Sequence, residues 1–192
     1  MKIIFLDIDG VLNSTRSVLA KHVGHTEEQE NALLALYELI PKEDMPYLVE
    51  YTYNTIDPIA MGLINRAMEK DHKLRVALST SHRTLFDDLH SNPMLCLQIY
   101  LKALGFTHQF GLIGVTPTLP GRRGLEVKEF LSSYADKYPN NPITHHVAID
   151  DSTDFDIEDC TYLRIDPELG LTAQDYYEMT RLLDIKESSI IF

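Results

Sequence analysis

The sequence has no tryptophan, only two cysteines, and 17 basic residues against 29 acidic ones. Cys96 and Cys160 are too few for a disulfide framework and match no zinc-ligand spacing, so a reducing compartment is the default expectation. The net charge of −12 opposes a surface built for a nucleic-acid backbone, which needs a basic footprint. Long nucleic acid is therefore disfavoured as a partner, although a local cation or metal can still create a phosphate site. No apolar run approaches the ~20 residues of a membrane span. The first apolar stretch stops at Asp7, so no secretory signal is expected and the location is expected to be cytoplasmic. Repeats and low-complexity stretches are missing too. With 192 residues, the chain suits one domain with room for an insertion.

What the sequence does contain is a series of short apolar runs alternating with amphipathic segments. Ile3–Leu6, Leu74–Leu78, His145–Ile149 and Tyr162–Ile165 read as buried strands, and Phe110–Val115 as a weaker one. Helices are predicted from Asp57, from Pro93 to Gly105, over Gly124–Tyr134, and from Thr172 to about Leu183. Strands apolar on both faces and separated by helices indicate an α/β fold, a parallel sheet covered on both sides. A strand–helix–strand unit takes ~30 residues. Residues 7–73 exceed that, which leaves 14–54 as a small cap inserted after Asp9, on a core of 1–13 and 55–192. Within it, Glu27–Ile40 is predicted to be helical and to end at Pro41 and Pro46, and Tyr47, Tyr51 and Tyr53 are expected to pack inside the cap.

Ligands of open parallel sheets bind beyond the carboxyl ends of the strands. There the sequence places Asp7-Ile8-Asp9-Gly10, then Ser79-Thr80-Ser81-His82-Arg83, then Asp150-Asp151 with Asp154 and Asp156 behind. Singly, each is an ordinary polar turn. Jointly, they put like charges at one sheet edge, where a divalent cation is the simplest means of keeping carboxylates ionised together. Oxygen-only ligands select Mg²⁺ or a similar hard ion.

FLDIDGVLN, VALSTSHR and VAIDDSTD together resemble the haloacid dehalogenase (HAD) superfamily, a Rossmann-like three-layer fold. Gly114-Val115-Thr116-Pro117, Arg123-Gly124-Leu125-Glu126-Val127 and Asp166-Pro167-Glu168-Leu169-Gly170-Leu171-Thr172 are similar to a small bacterial and phage subgroup, the HAD domain of RNA-repair-type proteins. The resemblance implies a Mg²⁺-dependent phosphomonoesterase. Asp7 is then the nucleophile that forms an aspartyl-phosphate. Asp9 is the general acid and base, its backbone carbonyl a metal ligand. Ser79 binds a phosphoryl oxygen, with Thr80 and Arg83 as further substrate contacts. Asp151 ligates the metal and Asp150 supports it, although the reverse, with Asp150 and Asp154 as the pair, fits the spacing too. The cation beside the phosphoryl group is Arg123, where this subgroup carries Arg, or Lys128, where a strict Lys pattern would fall.

Arg83 can equally pair with Asp87 or Asp88 one turn on. His82 reads as a surface residue at a helix start, and His145 and His146 as structural. The expected substrate is a phosphoprotein (including phosphotyrosine) or a phosphorylated small molecule. A nucleotide or polynucleotide 3′-phosphate is the alternative. Outside enzymes, the pattern competes with a phospho-accepting receiver domain and with a catalytically idle binding module on the same fold. Receivers accept phosphate at a mid-chain strand end, whereas here the acid pair stands at the first strand.

Overall fold

A computed structural model describes residues 1–20, 24–155 and 160–186. Five strands form one wholly parallel sheet: β1 (Lys2–Leu6), β2 (Leu74–Leu78), β3 (Leu112–Val115), β4 (His145–Asp150) and β5 (Tyr162–Arg164), in the order β3-β2-β1-β4-β5. β1 is central because its side chains are apolar on both faces, and helices cover both. Ile4, Leu6, Val76, Leu78, Val147 and Ile149 pack one way, with α4 (Pro58–Lys70), α5 (Pro93–Ala103) and α7 (Ala173–Leu182). Ile3, Phe5, Ala77 and Ala148 pack the other way, against Val127 and Phe130 of α6 (Arg123–Lys137). This is a three-layer, HAD-like Rossmannoid fold.

Local sequence sets the helix starts. The Asp57 side chain accepts from Ile59 N ahead of α4, with Pro58 as its first residue. Thr172 and Asp175 make a reciprocal capping box for α7. β3 begins two residues later than predicted, because Gln109–Gly111 coil into a 3₁₀ turn. Asp156 lies outside the described residues.

Residues 14–54 hold α1 (Thr15–Ala20), α2 (Glu27–Leu39) and all but the last residue of α3 (Tyr47–Thr55). α2 packs along α5, and Ala32, Leu36, Ile40 and Val49 belong to the same buried cluster as β1 and β2. Pro46, expected as a terminator, is the residue that precedes α3. Tyr53 is buried as expected. Tyr47 is not; it is 79% exposed, on the side of α3 away from the buried Val49 and Tyr53. Among the described residues, no helix is long and apolar enough to cross a membrane.

Candidate active site

In-register parallel pairing aligns Leu6 with Leu78 and with Ile149. The next residues along, Asp7, Ser79 and Asp150, therefore stand level at the carboxyl ends of three adjacent strands. By the two-residue period of a strand they share the face of Phe5, Ala77 and Ala148, on which α6 packs. Arg123, the first residue of α6, is brought onto this row. Its Nη1 donates to Asp7 Oδ2 at 2.8 Å, Asp150 Oδ2 at 2.6 Å and the Ser79 carbonyl at 3.0 Å. Lys128, five residues further along α6, is exposed. The cation on the carboxylates is Arg123.

Asp7 and Asp150 are almost fully buried. Burial first, and then the charge of Asp150, push the Asp7 carboxyl from its ordinary 3.8 up to about 7. Arg123, the Thr80 hydroxyl and the Ile8 N–H act in the opposite direction without cancelling this. Burial raises Asp150 as well. Its Oδ1 accepts from Ser152 N at 2.8 Å, so both of its oxygens are engaged.

Asp9 sits differently. Beyond β1 the chain makes a single turn in which Leu12 N and Asn13 N both donate to the Ile8 carbonyl. Gly10 enters it at φ +72, and a Cβ there would lie 2.4 Å from Asp151 Oδ2. Only glycine satisfies both the backbone and the contact. The turn swings the Asp9 carboxylate away from Asp7. Its Oδ1 accepts from Asn13 Nδ2 and its Oδ2 meets His82 Nε2, each at 3.0 Å. Burial alone would raise Asp9, but the hydrogen bonds of His82, Asn13 and Ser81 and the charge of His82 outweigh it and hold the group below its ordinary value.

Two expectations are corrected here. His82 is fully buried, because the 3₁₀ turn after Thr80 points its ring inward between Asp9 and Tyr100. Arg83 pairs with neither Asp87 nor Asp88 but with Glu126 of α6, at 2.8 Å, and it reaches the hydroxyls of Thr116 and Thr118. Both partners of this ion pair are nearly buried. The guanidinium thus ties the loop after β3 to the helix that carries Arg123. Arg83→Ala is expected to destabilise the fold by roughly 3–5 kcal/mol, since it strands a buried carboxylate. Denaturant unfolding of the two proteins measures this directly.

Asp7, Asp150 and Asp151 each offer a carboxylate oxygen, all within 4.8 Å of one another. That spread is near the ~4 Å spanned by ligands of one octahedral magnesium. The donors are all oxygen, and one guanidinium offsets only part of their charge, so the set fits a hard divalent ion. Ser79 Oγ fits a phosphoryl group by a separate observation: it is buried in the same row with no hydrogen-bond partner. Asp154 stands apart from the acidic cluster, in a local turn with the Ser152 hydroxyl.

The sequence profile of one family, the HAD domain in Swiss Army Knife RNA repair proteins, matches residues 3–176. The chain belongs to that family. Among solved structures, the HAD domain of the effector protein Lem4 from Legionella pneumophila is similar over 96% of both chains, at 14% identity and a TM-score of 0.48. No curated protein matches the sequence. Family membership supports a HAD-type hydrolase.

Proposed function

We propose that this HAD domain is a Mg²⁺-dependent phosphomonoesterase that works through an aspartyl-phosphate on Asp7. The observation that carries the reading is the different placement of two carboxylates two residues apart. Asp7 lies in a buried row with Arg123 and the unpartnered Ser79 hydroxyl. Asp9 is turned out of that row onto His82 and Asn13, and its side chain is 46% exposed. One is placed to attack phosphorus and the other to exchange protons with an entering or leaving oxygen.

In the first displacement an Asp7 carboxylate oxygen bonds to phosphorus while the P–O bond to the leaving group breaks. The electron pair stays on the leaving oxygen, which takes the proton of the Asp9 carboxyl. In the second, Asp9 as carboxylate takes a proton from water, the water oxygen bonds to phosphorus, and the acyl P–O bond breaks to regenerate Asp7. Arg123 Nη1 and the Ser79 hydroxyl stabilise the charge on the transferring group. A dianionic phosphate beside Asp9 raises its pKa and favours the acid form needed first.

Asp7 and Asp151, with the Asp9 carbonyl, would hold the metal, and Asp150 would support them from behind. The chemistry a bound Mg²⁺ supplies is positive charge that lowers Asp7 back into its ionised, nucleophilic form at neutral pH. Asp151→Asn is expected to weaken Mg²⁺ binding more than Asp150→Asn, because both Asp150 oxygens already have protein partners. Titration calorimetry on the two variants decides this, and the reverse order gives Asp150 the ligand role. Saturating Mg²⁺ should also raise the melting temperature, by about 2.7 kcal/mol of added stability at a hundredfold excess over Kd.

A cleft beside Asp9 and Asp151 is lined by Val18, Leu19, Tyr51 and Pro167 together with Gly10, Asn13, Ser14 and Thr15. An apolar, partly aromatic rim next to carboxylates suits an aryl or peptide-borne phosphate ester better than a polyanion. The test is a turnover screen across phosphotyrosine peptides, nucleotides and 3′-phosphorylated oligonucleotides, with and without chelator. Chelator-sensitive release of phosphate supports the reading. No release from any monoester above the level of the Asp7→Asn protein would sink it in favour of an idle binding module.

A further inference from the structure

We infer that His82 is a positioning residue that holds Asp9 in its proton-transfer orientation, and that Tyr100 locks His82 in turn; this rests on the phosphatase reading above. The imidazole is fully buried, as is Tyr100 on α5. His82 Nε2 lies 3.0 Å from Asp9 Oδ2 and Nδ1 lies 3.0 Å from the Tyr100 hydroxyl, so each ring nitrogen has a single protein partner. An ionised carboxylate can only accept a hydrogen bond. Nε2 must therefore carry a proton and donate, which for the neutral ring leaves Nδ1 as acceptor and the Tyr100 O–H as donor. The rings of His82 and Tyr100 lie 7° from parallel, with centroids 6.0 Å apart, and Phe86 meets Tyr100 edge-on. The buried Thr52 side chain of α3 also lies near the Tyr100 hydroxyl.

The arrangement has the logic of a base whose orientation is fixed by a further group behind it. Asn13 and His82 each take one Asp9 oxygen, and together they define the plane of the carboxyl group. Asn13 belongs to the same short turn as Asp9 and moves with it. His82 comes from the next strand end and is fixed from behind by α5, so it refers Asp9 to the rigid core. A carboxyl group free to rotate would still titrate, but it would present its proton to the leaving oxygen only part of the time.

The role makes a demand that simple packing does not. Phenolate is a poor leaving group and needs a proton in the first displacement, whereas p-nitrophenolate leaves nearly unaided. His82→Leu is expected to lower kcat/KM for phenyl phosphate by about 10²-fold, the scale of a general-acid contribution, and for p-nitrophenyl phosphate by less than about tenfold. His82→Gln keeps an N–H donor near the Nε2 position and should recover most of the phenyl phosphate activity. Tyr100→Phe keeps the ring packing and removes only the hydroxyl. It should show the same leaving-group dependence at several-fold, which serves if the leucine variant does not fold. Equal losses on the two substrates, or no recovery in His82→Gln, would overturn the proposal.

A crystal structure of each folded variant tests the geometry independently of any activity. The Asp9 carboxyl should be displaced in His82→Leu and held in His82→Gln. An unmoved Asp9 in His82→Leu would refute the positioning role. If the unmodified protein hydrolyses neither ester, the phosphatase reading fails while these structures still decide whether His82 sets Asp9.

Discussion

Asp7→Asn should reduce turnover of any phosphomonoester to background, a loss on the order of 10⁴-fold or more for removal of a covalent nucleophile. Asparagine keeps the size and most hydrogen bonds of the side chain but cannot form the acyl phosphate. The same substitution should not weaken the fold. In metal-free protein the folded-state pKa of Asp7 is about 7 against an ordinary 3.8. Between those values the folded protein retains a proton that the unfolded chain has released, so Asp7 costs stability increasingly as pH rises through that window. Asp7→Asn removes the cost. In chelator at pH 7 it should melt at or above the temperature of the unmodified protein, and the difference should shrink towards pH 4. A clear drop in melting temperature at pH 7 would mean that the Asp7–Arg123 contact contributes more than the buried carboxylate costs.

The second large effect is expected at Arg123. All three of its hydrogen bonds into the site come from one nitrogen, Nη1, which bridges Asp7, Asp150 and the Ser79 carbonyl. Arg123→Gln removes the charge and should lower kcat/KM by about 10³-fold, in the range for losing a donor or arginine that faces a transferring phosphoryl group. Because a single nitrogen makes the contacts, Arg123→Lys should keep more activity than Arg123→Gln, although planar two-point recognition of phosphate is lost. Lys128→Gln should change little, since that side chain is exposed on the same helix. A damaging Lys128→Gln beside a harmless Arg123→Gln would move the role to Lys128.

The site was legible wherever chemistry sits directly at the end of an apolar strand. Short runs such as Ile3–Leu6 and Leu74–Leu78 mark where a buried strand stops, and parallel register does the rest by bringing Asp7, Ser79 and Asp150 level. Arg123 was legible through the family pattern. Its contacts depend on α6 packing over Phe5 and Ala77, which no local rule supplies. His82 was missed for a related reason. Its sequence neighbours Ser81 and Arg83 are polar and read as surface, while its partners Tyr100 and Asp9 lie 18 and 73 residues away. The one local signal was a histidine directly after a strand-end Ser-Thr-Ser, which by itself carries no partner. For Arg83 the neighbouring Asp87 and Asp88 suggested a helical ion pair, but the buried Glu126, 43 residues distant, outcompetes them because desolvated pairs interact more strongly than exposed ones. Within residues 14–54, the 13-residue α2 has an amphipathic face and was found. The six-residue α1 has no acidic residue in its first turn and no basic one in its last to announce it, and α3 follows a proline that local rules read equally well as a stop.

The central claim is that Asp7 carries the phosphoryl group. Mixing the protein with an aryl phosphate and Mg²⁺, quenching in acid within one turnover, and sequencing peptides by mass spectrometry reads this directly. The mass of one phosphoryl group should appear on Asp7, and not in the Asp7→Asn protein. Steady turnover with no phosphoryl group on Asp7 at any quench time, or with the group on another residue, would contradict it.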